Sequence, residues 1–150
     1  PALRRRARQL GLDDLVTFRG FVDQRELHAA LARGEYGAVV LSSNSGENDL
    51  MEGVPAALIE AMARCVAVIA TDSGSVGELV DASTGTLVPP SNPVALADGI
   101  ANTLDDAART QARAINAYDR VYRRHELARQ MHALANRMKG IASVPERTLS

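Results

Sequence analysis

Val66-Ala67-Val68-Ile69-Ala70-Thr71 is an unbroken apolar run with no polar residue at alternate positions. A strand with one wet face alternates apolar and polar side chains, so a run of this kind needs cover on both faces. Tyr36 to Leu41 holds a second such run, Ala-Val-Val-Leu, and Gly85-Thr86-Leu87-Val88 reads as a third strand, stopped by Pro89-Pro90. Helical patterns lie between them. Buried strands alternating with helices predict an α/β chain, with a parallel sheet covered on both sides. In such sheets ligands bind outside the carboxyl ends of the strands. The loop after Leu41 and the turn after Thr71 lie at that edge.

The remaining segments follow from local signals. Residues 1–10 are Arg-rich and helix-compatible, with Leu3, Ala7 and Leu10 on one side, and Gly11 ends that helix. Leu15-Val16-Thr17-Phe18 reads as a strand, followed by Gly20-Phe21-Val22. Asp23 with Glu26 forms a capping box for a helix to about Arg33, and Ser75 with Glu78 forms another for a short helix to about Val80. Asn92-Pro93 starts a helix with apolar Val94, Leu96, Ala97, Ile100 and Leu104. From about Ala107 to Met138 the pattern is helical with a break near Tyr122, and the last dozen residues read as frayed. The domain reading is an α/β unit over 1–105, its C-terminal helices over 106–139 and a flexible tail over 140–150. Pro1 in place of Met reads as the mark of a piece cut from something longer.

Composition excludes several classes. A net charge of −1 supplies no field for nucleic acid or a membrane surface. The Arg4-Arg5-Arg6 and Arg8 group has no interleaved aromatic residues, so it reads as a solvated helix face. The single cysteine, Cys65, excludes an internal disulfide framework, and neither zinc spacing nor an Asp-x-Asp metal motif is present. These features fit a reducing, cytoplasmic setting and predict no metal. No apolar run is long enough to span a bilayer.

The stretch with the most chemical content is Met51-Glu52-Gly53-Val54-Pro55-Ala56-Ala57-Leu58-Ile59-Glu60-Ala61-Met62-Ala63. Pro55 suits the first turn of a helix, and the residues after it are strong helix formers. Two acids, Glu52 and Glu60, thus stand at a helix mouth and about two turns further along it. A helix start favours anions through its unpaired N–H groups, and a carboxylate beside it suggests a site for a polar or phosphorylated ligand.

This pattern, Glu-Gly-x-Pro-x-x-Leu-x-Glu-Ala-Met-Ala, resembles the signature of the retaining family 4 (group 1) nucleotide-sugar glycosyltransferases. The similarity continues through Val68-Ile69-Ala70-Thr71, Gly74, Glu78-Leu79-Val80, Gly85 to Pro90 and the Asn92-Pro93 helix, and upstream through Val16 to Val22. It covers most of residues 10–105 in order. The resemblance implies the C-terminal, Rossmann-like doubly wound half of a GT-B enzyme, with its first strands and the facing N-terminal domain missing.

It also implies roles. Glu60 would accept hydrogen bonds from the vicinal ribose hydroxyls of the nucleotide. Glu52 would hold hydroxyls of the donor sugar at the reacting centre, and is the catalytic candidate. Gly53, Val54 and Pro55 would offer backbone to the sugar and phosphates, and Gly20, Phe21 and Val22 would meet the base. Ser43 occupies the family's Pro-Ser position. The donor would be a nucleoside-diphosphate sugar, with no cofactor, and transfer would proceed by front-face substitution with the leaving diphosphate assisting acceptor deprotonation.

The basic residues expected to neutralise that diphosphate have no counterpart here, since Arg19 and Arg25 stand outside the motif. Activity of this chain alone is therefore not expected, and any peripheral membrane association would run through the missing domain. A rival reading is a non-catalytic interaction module presenting the stripe Leu127, Met131, Leu134 and Met138. A receiver-type domain would need an acidic cluster at a strand end, which is not evident. His28, His125 and His132 lie in helical patterns and read as surface or packing residues. Cys65 stands where the family has Gly, Ala67 where it has Pro, Ser75 where it has a second Gly, and Gly77 where Pro is common. At Cys65 either the turn is remodelled or the chain tolerates a strained left-handed residue.

Overall fold

A computed structural model describes residues 2–43 and 55–125. The order of elements is α1 (Ala2–Gln9), α2 (Gln24–Ala32), β1 (Ala38–Leu41), α3 (Ala56–Met62), β2 (Ala67–Thr71), α4 (Val76–Leu79), β3 (Thr86–Val88), α5 (Pro93–Asp105) and α6 (Ala107–His125). The three strands form one parallel sheet in the order β1-β2-β3. Val39 lies opposite Val68, and Ile69 opposite Thr86.

The central strand explains its own composition. Every residue of β2 is buried. Val68 and Ala70 join Leu31, Leu58, Met62, Leu79, Val80, Ala117 and Val121 in the main core, which α2, α3, α4 and α6 supply. Ile69 points to the other face, where α5 approaches closely at Gly99. A Cβ on Gly99 would lie 3.1 Å from Val88 Cγ1 and 3.2 Å from Thr86 Cγ2, so the missing side chain lets the helix sit on the sheet. Both faces of β2 are therefore covered, as a continuous apolar strand requires. The like run in β1 is not buried in the same way: it lies at the sheet edge, with Val40 41% exposed, because apolar continuity does not say which strand takes the centre.

Helix ends share one geometry. After α1, α2 and α3 the chain makes a pair of reversed hydrogen bonds, for example Glu35 N–H to Ala30 O at 3.1 Å and Gly34 N–H to Leu31 O at 3.1 Å. Gly11 and Gly34 hold the left-handed position in the first two, with φ of 67° and 70°. Cys65 holds it in the third, at φ 53°, with Val66 N–H to Ala61 O at 3.0 Å. The turn is not remodelled; Cys65 takes the glycine conformation against its Cβ.

Several local expectations need correction. Residues 15–18 form no strand; Leu15 and Val16 instead donate their N–H groups back to Leu12 O in a turn. No described segment lies alongside to complete a ladder, and Leu15 is 80% exposed. An unpaired strand has nothing to hold its N–H and C=O groups in register. Phe18 is held instead by Arg4, whose guanidinium donates to Phe18 O at 3.2 Å and lies 5.6 Å from the ring centroid. In α1 only Ala7 is buried, with Leu3 and Leu10 left exposed.

Asp23 does cap α2, accepting from Arg25 N–H at 2.9 Å, but the Glu26 carboxylate pairs with Arg19. Ser75 makes no side-chain cap for the single turn of α4. Pro55 is the N-cap of α3, with extended ψ of 124°, and not a residue of its first turn. No break occurs near Tyr122: α6 is continuous to His125, and Tyr118 and Tyr122 stack along one face, ring centroids 6.1 Å apart.

The helix α6 is strapped to the connection between α4 and β3. Arg120 places Nη2 2.8 Å from Asp81 Oδ2 and donates from Nη1 to Leu79 O at 3.0 Å. The Ser83 hydroxyl donates to Asp81 at 2.6 Å; this bond first, and Arg120 after it, outweigh partial burial and bring the Asp81 carboxyl down to about 2.

Candidate functional site

α2 leads into β1 and α3 into β2 through short connections, so both helices run against the strand direction with their amino ends at the carboxyl edge of the sheet. Glu60 stands a little over one turn into α3. Its neighbours Leu58, Ala61 and Met62 are buried in the core, which leaves Glu60 on the flank that meets α2.

There its carboxylate is engaged at both oxygens. Gln24 donates from Nε2 to Oε1 at 3.0 Å, and His28 brings Nε2 to 2.9 Å from Oε2. The His28 nitrogen is buried and too poorly aligned to count as a directed hydrogen bond, so this contact is one of close electrostatic approach. Arg64 donates to the backbone oxygen of Glu60 at 2.8 Å. The His28 contact is the largest influence on Glu60; partial burial opposes it and Gln24 adds to it, and together they hold the carboxyl below its usual range. Glu60 is thus an ionised acceptor, with its side chain 26% exposed.

Gly20 adopts φ 68° and starts the exposed turn that carries Phe21, 95% exposed, and half-buried Val22 into the amino end of α2. Gln24, at the amino end of the helix that follows Gly20–Val22, reaches Glu60 with its side chain. Ser43, just beyond β1, is fixed by its carbonyl, which accepts from the Thr71 hydroxyl at 2.6 Å. Beside it a cavity of ≈ 300 Å3 opens at the carboxyl edge, lined by Ser42, Thr71, Ser91, Asn92, Pro93 and Leu96. A larger hollow of ≈ 410 Å3, near Tyr36, Gly37 and Val66, lies at the amino ends of β1 and β2, away from these groups.

Glu52, Gly53 and Val54, and the stripe from Leu127 to Met138, lie outside the described residues. Among the described residues, no group of three or more His, Cys, Asp and Glu could hold a metal ion. Of the residues at Glu60, sequence reasoning passed over Gln24 and treated His28 as a packing residue. Their four-residue spacing on a helix, which puts two polar side chains on one face beside Leu27 and Leu31, was the available signal.

Residues 2–120 match the family model described as glycosyl transferases group 1. The chain belongs to this family. A relative in Escherichia coli K12, provisionally named as the colanic acid biosynthesis glycosyltransferase WcaL, is 38% identical over 100 residues, 66% of this chain and 24% of the relative. The chain thus spans about a quarter of the length of the curated relatives it matches.

Among solved structures, Anabaena Alr3699/HepE in complex with UDP is similar at a TM-score of 0.78 and 26% identity, over 93% of this chain and 36% of that one. The same Anabaena protein has been solved with UDP-glucose. The C-terminal domain of the Francisella tularensis group 1 protein LpcC is similar at a TM-score of 0.69 and 32% identity, over 84% of this chain and 62% of that one. The structural neighbours are GT-B glycosyltransferases, in agreement with the α/β fold and parallel sheet described above. Among the described residues, no helix is long and apolar enough to cross a membrane.

Proposed function

We propose that this group 1 chain is the donor-binding, C-terminal part of a retaining family 4 glycosyltransferase. Glu60 accepts the ribose hydroxyls of a nucleoside-diphosphate sugar, the Gly20–Val22 backbone meets the base, and Pro55 and Ser43 border the sugar and phosphates. Glu52, with Gly53 and Val54, holds the donor sugar. In the reaction the bond from the anomeric carbon to the diphosphate breaks. The bond to the acceptor hydroxyl forms on the same face, and the departing diphosphate takes the acceptor proton.

The observation that carries this reading is the ionised, partly open Glu60 carboxylate set beside the turn that leads into α2. A two-oxygen acceptor suits a vicinal diol, and ionisation strengthens each bond. The UDP and UDP-glucose complexes of the Anabaena neighbour support the donor class. In this reading the cations that neutralise a leaving diphosphate come from an early strand of the same domain, and the surface that selects the acceptor comes from the facing N-terminal domain. The chain alone binds donor without completing transfer.

Calorimetric titration with UDP, GDP and ADP tests it. Saturable binding of one nucleotide is expected, weakened at least ~10-fold in Glu60→Ala by loss of charged hydrogen bonds. Binding by no nucleotide at millimolar concentration, or equal binding by the variant, rejects the assignment. Transfer from a radiolabelled sugar nucleotide by the isolated chain would refute its dependence on another domain.

A further inference from the structure

We propose that Gln24 and His28 are positioning residues, a clamp from α2 that sets the plane of the Glu60 carboxylate and so creates selectivity for a ribose diol. The inference rests on the ribose role of Glu60 and goes beyond it, because neither clamp residue needs to touch the nucleotide.

The two residues are four apart on α2 and reach across to different oxygens of one carboxylate, Gln24 to Oε1 at 3.0 Å and His28 to Oε2 at 2.9 Å. An ionised carboxylate offers about four acceptor sites, two on each oxygen. With one contact at each oxygen, acceptor capacity remains on both. The side chain is 26% exposed, and an acceptor left on each oxygen suits two adjacent hydroxyls.

A free glutamate on a helix surface samples several rotamers and would lose that freedom on binding; a clamped one has lost it in advance. The His28 Nε2 reinforces the point. It is buried without a directed hydrogen bond, and it approaches Glu60 Oε2 to 2.9 Å. A buried polar atom left in this state calls for a role other than core packing. The clamp also has reach: Gln24 opens α2 directly after Gly20–Val22, so one rigid helix ties the base-side turn to the ribose-side acid.

The test is a comparison of UDP, GDP and ADP, each against its 2′,3′-dideoxy counterpart, bound to the full chain and to Gln24→Ala, His28→Leu and His28→Gln. The ratio of the two affinities is the readout, because a general loss of structure lowers both alike. The ratio is expected to fall roughly 3- to 10-fold in Gln24→Ala and in His28→Leu, with dideoxy affinity unchanged. His28→Gln, whose amide nitrogen can reach the imidazole Nε2 position, is expected to recover most of it. Gln24 lies at the surface, so Gln24→Ala decides the matter even if His28→Leu fails to fold. A wild-type preference for ribose that both variants retain, or variants that weaken both ligands equally, overturns the clamp and leaves the Glu60 assignment standing. No wild-type preference for ribose removes that assignment, and the clamp with it.

Discussion

Two segments of this chain look alike as strings and behave differently as structure. Leu15-Val16-Thr17-Phe18 and Ala67-Val68-Ile69-Ala70-Thr71 are both rich in residues that favour strands. The second is the fully buried centre of the sheet, paired on both edges and covered on both faces. The first is exposed coil, its hydrogen-bonding groups used in a turn and in a contact with Arg4. Strand preference is largely a measure of fit to a neighbouring pleated surface, and the first segment has no such neighbour among the described residues. An apolar string needs a partner before it becomes a strand.

Three substitutions probe the contrast. Ile69→Ala removes a fully buried side chain from the face that α5 covers, and should cost ~2–5 kcal/mol, lowering the urea midpoint with little change in slope. A loss below ~1 kcal/mol would mean that α5 does not seal that face. Cys65→Gly acts on the turn that feeds the same strand. Relief of the left-handed strain, less the entropy that glycine loses on folding, should stabilise the chain by about 1 kcal/mol. A thermal melt lower than wild type would show that the exposed thiol makes a contact outweighing its strain. The smallest effect belongs to Leu15→Ser, expected within about 0.5 kcal/mol because the side chain is already in solvent. A loss of several kcal/mol in the same urea experiment would place Leu15 in a packed interface and erase the contrast with Ile69.

The site divides in a similar way. Glu60 was legible as a candidate because a family signature surrounds it, and the alternation of apolar runs with helices placed its helix at the carboxyl edge of a parallel sheet. Its partners were not legible. Gln24 and His28 lie more than thirty positions upstream, and contact between them and Glu60 depends on how α2 and α3 pack side by side. A polar pair at four-residue spacing could have flagged the face, but not what the face meets. The capping residues tell the same story on a smaller scale. Asp23 caps as its type predicts, whereas Ser75 and Glu26 carry the right letters and form no capping box, Glu26 because Arg19 engages its carboxylate.

By itself, the sequence determined the class of fold, the places of the three strands, most of the helices and the family, because periodicity, continuous apolar runs and an ordered motif are local properties; that only β2 is fully buried was left to the packing. At Cys65 the sequence left two outcomes open, a remodelled turn or a left-handed residue, and the structure chose the second, because the hydrogen bonds that end this helix demand that conformation. Only the tertiary structure decided that residues 15–18 are not a strand, that α6 is continuous through Tyr122 and strapped by Asp81 and Arg120, and that Gln24 and His28 of α2 meet Glu60. Each of these depends on which surfaces are brought together, and no short window of residues contains that information.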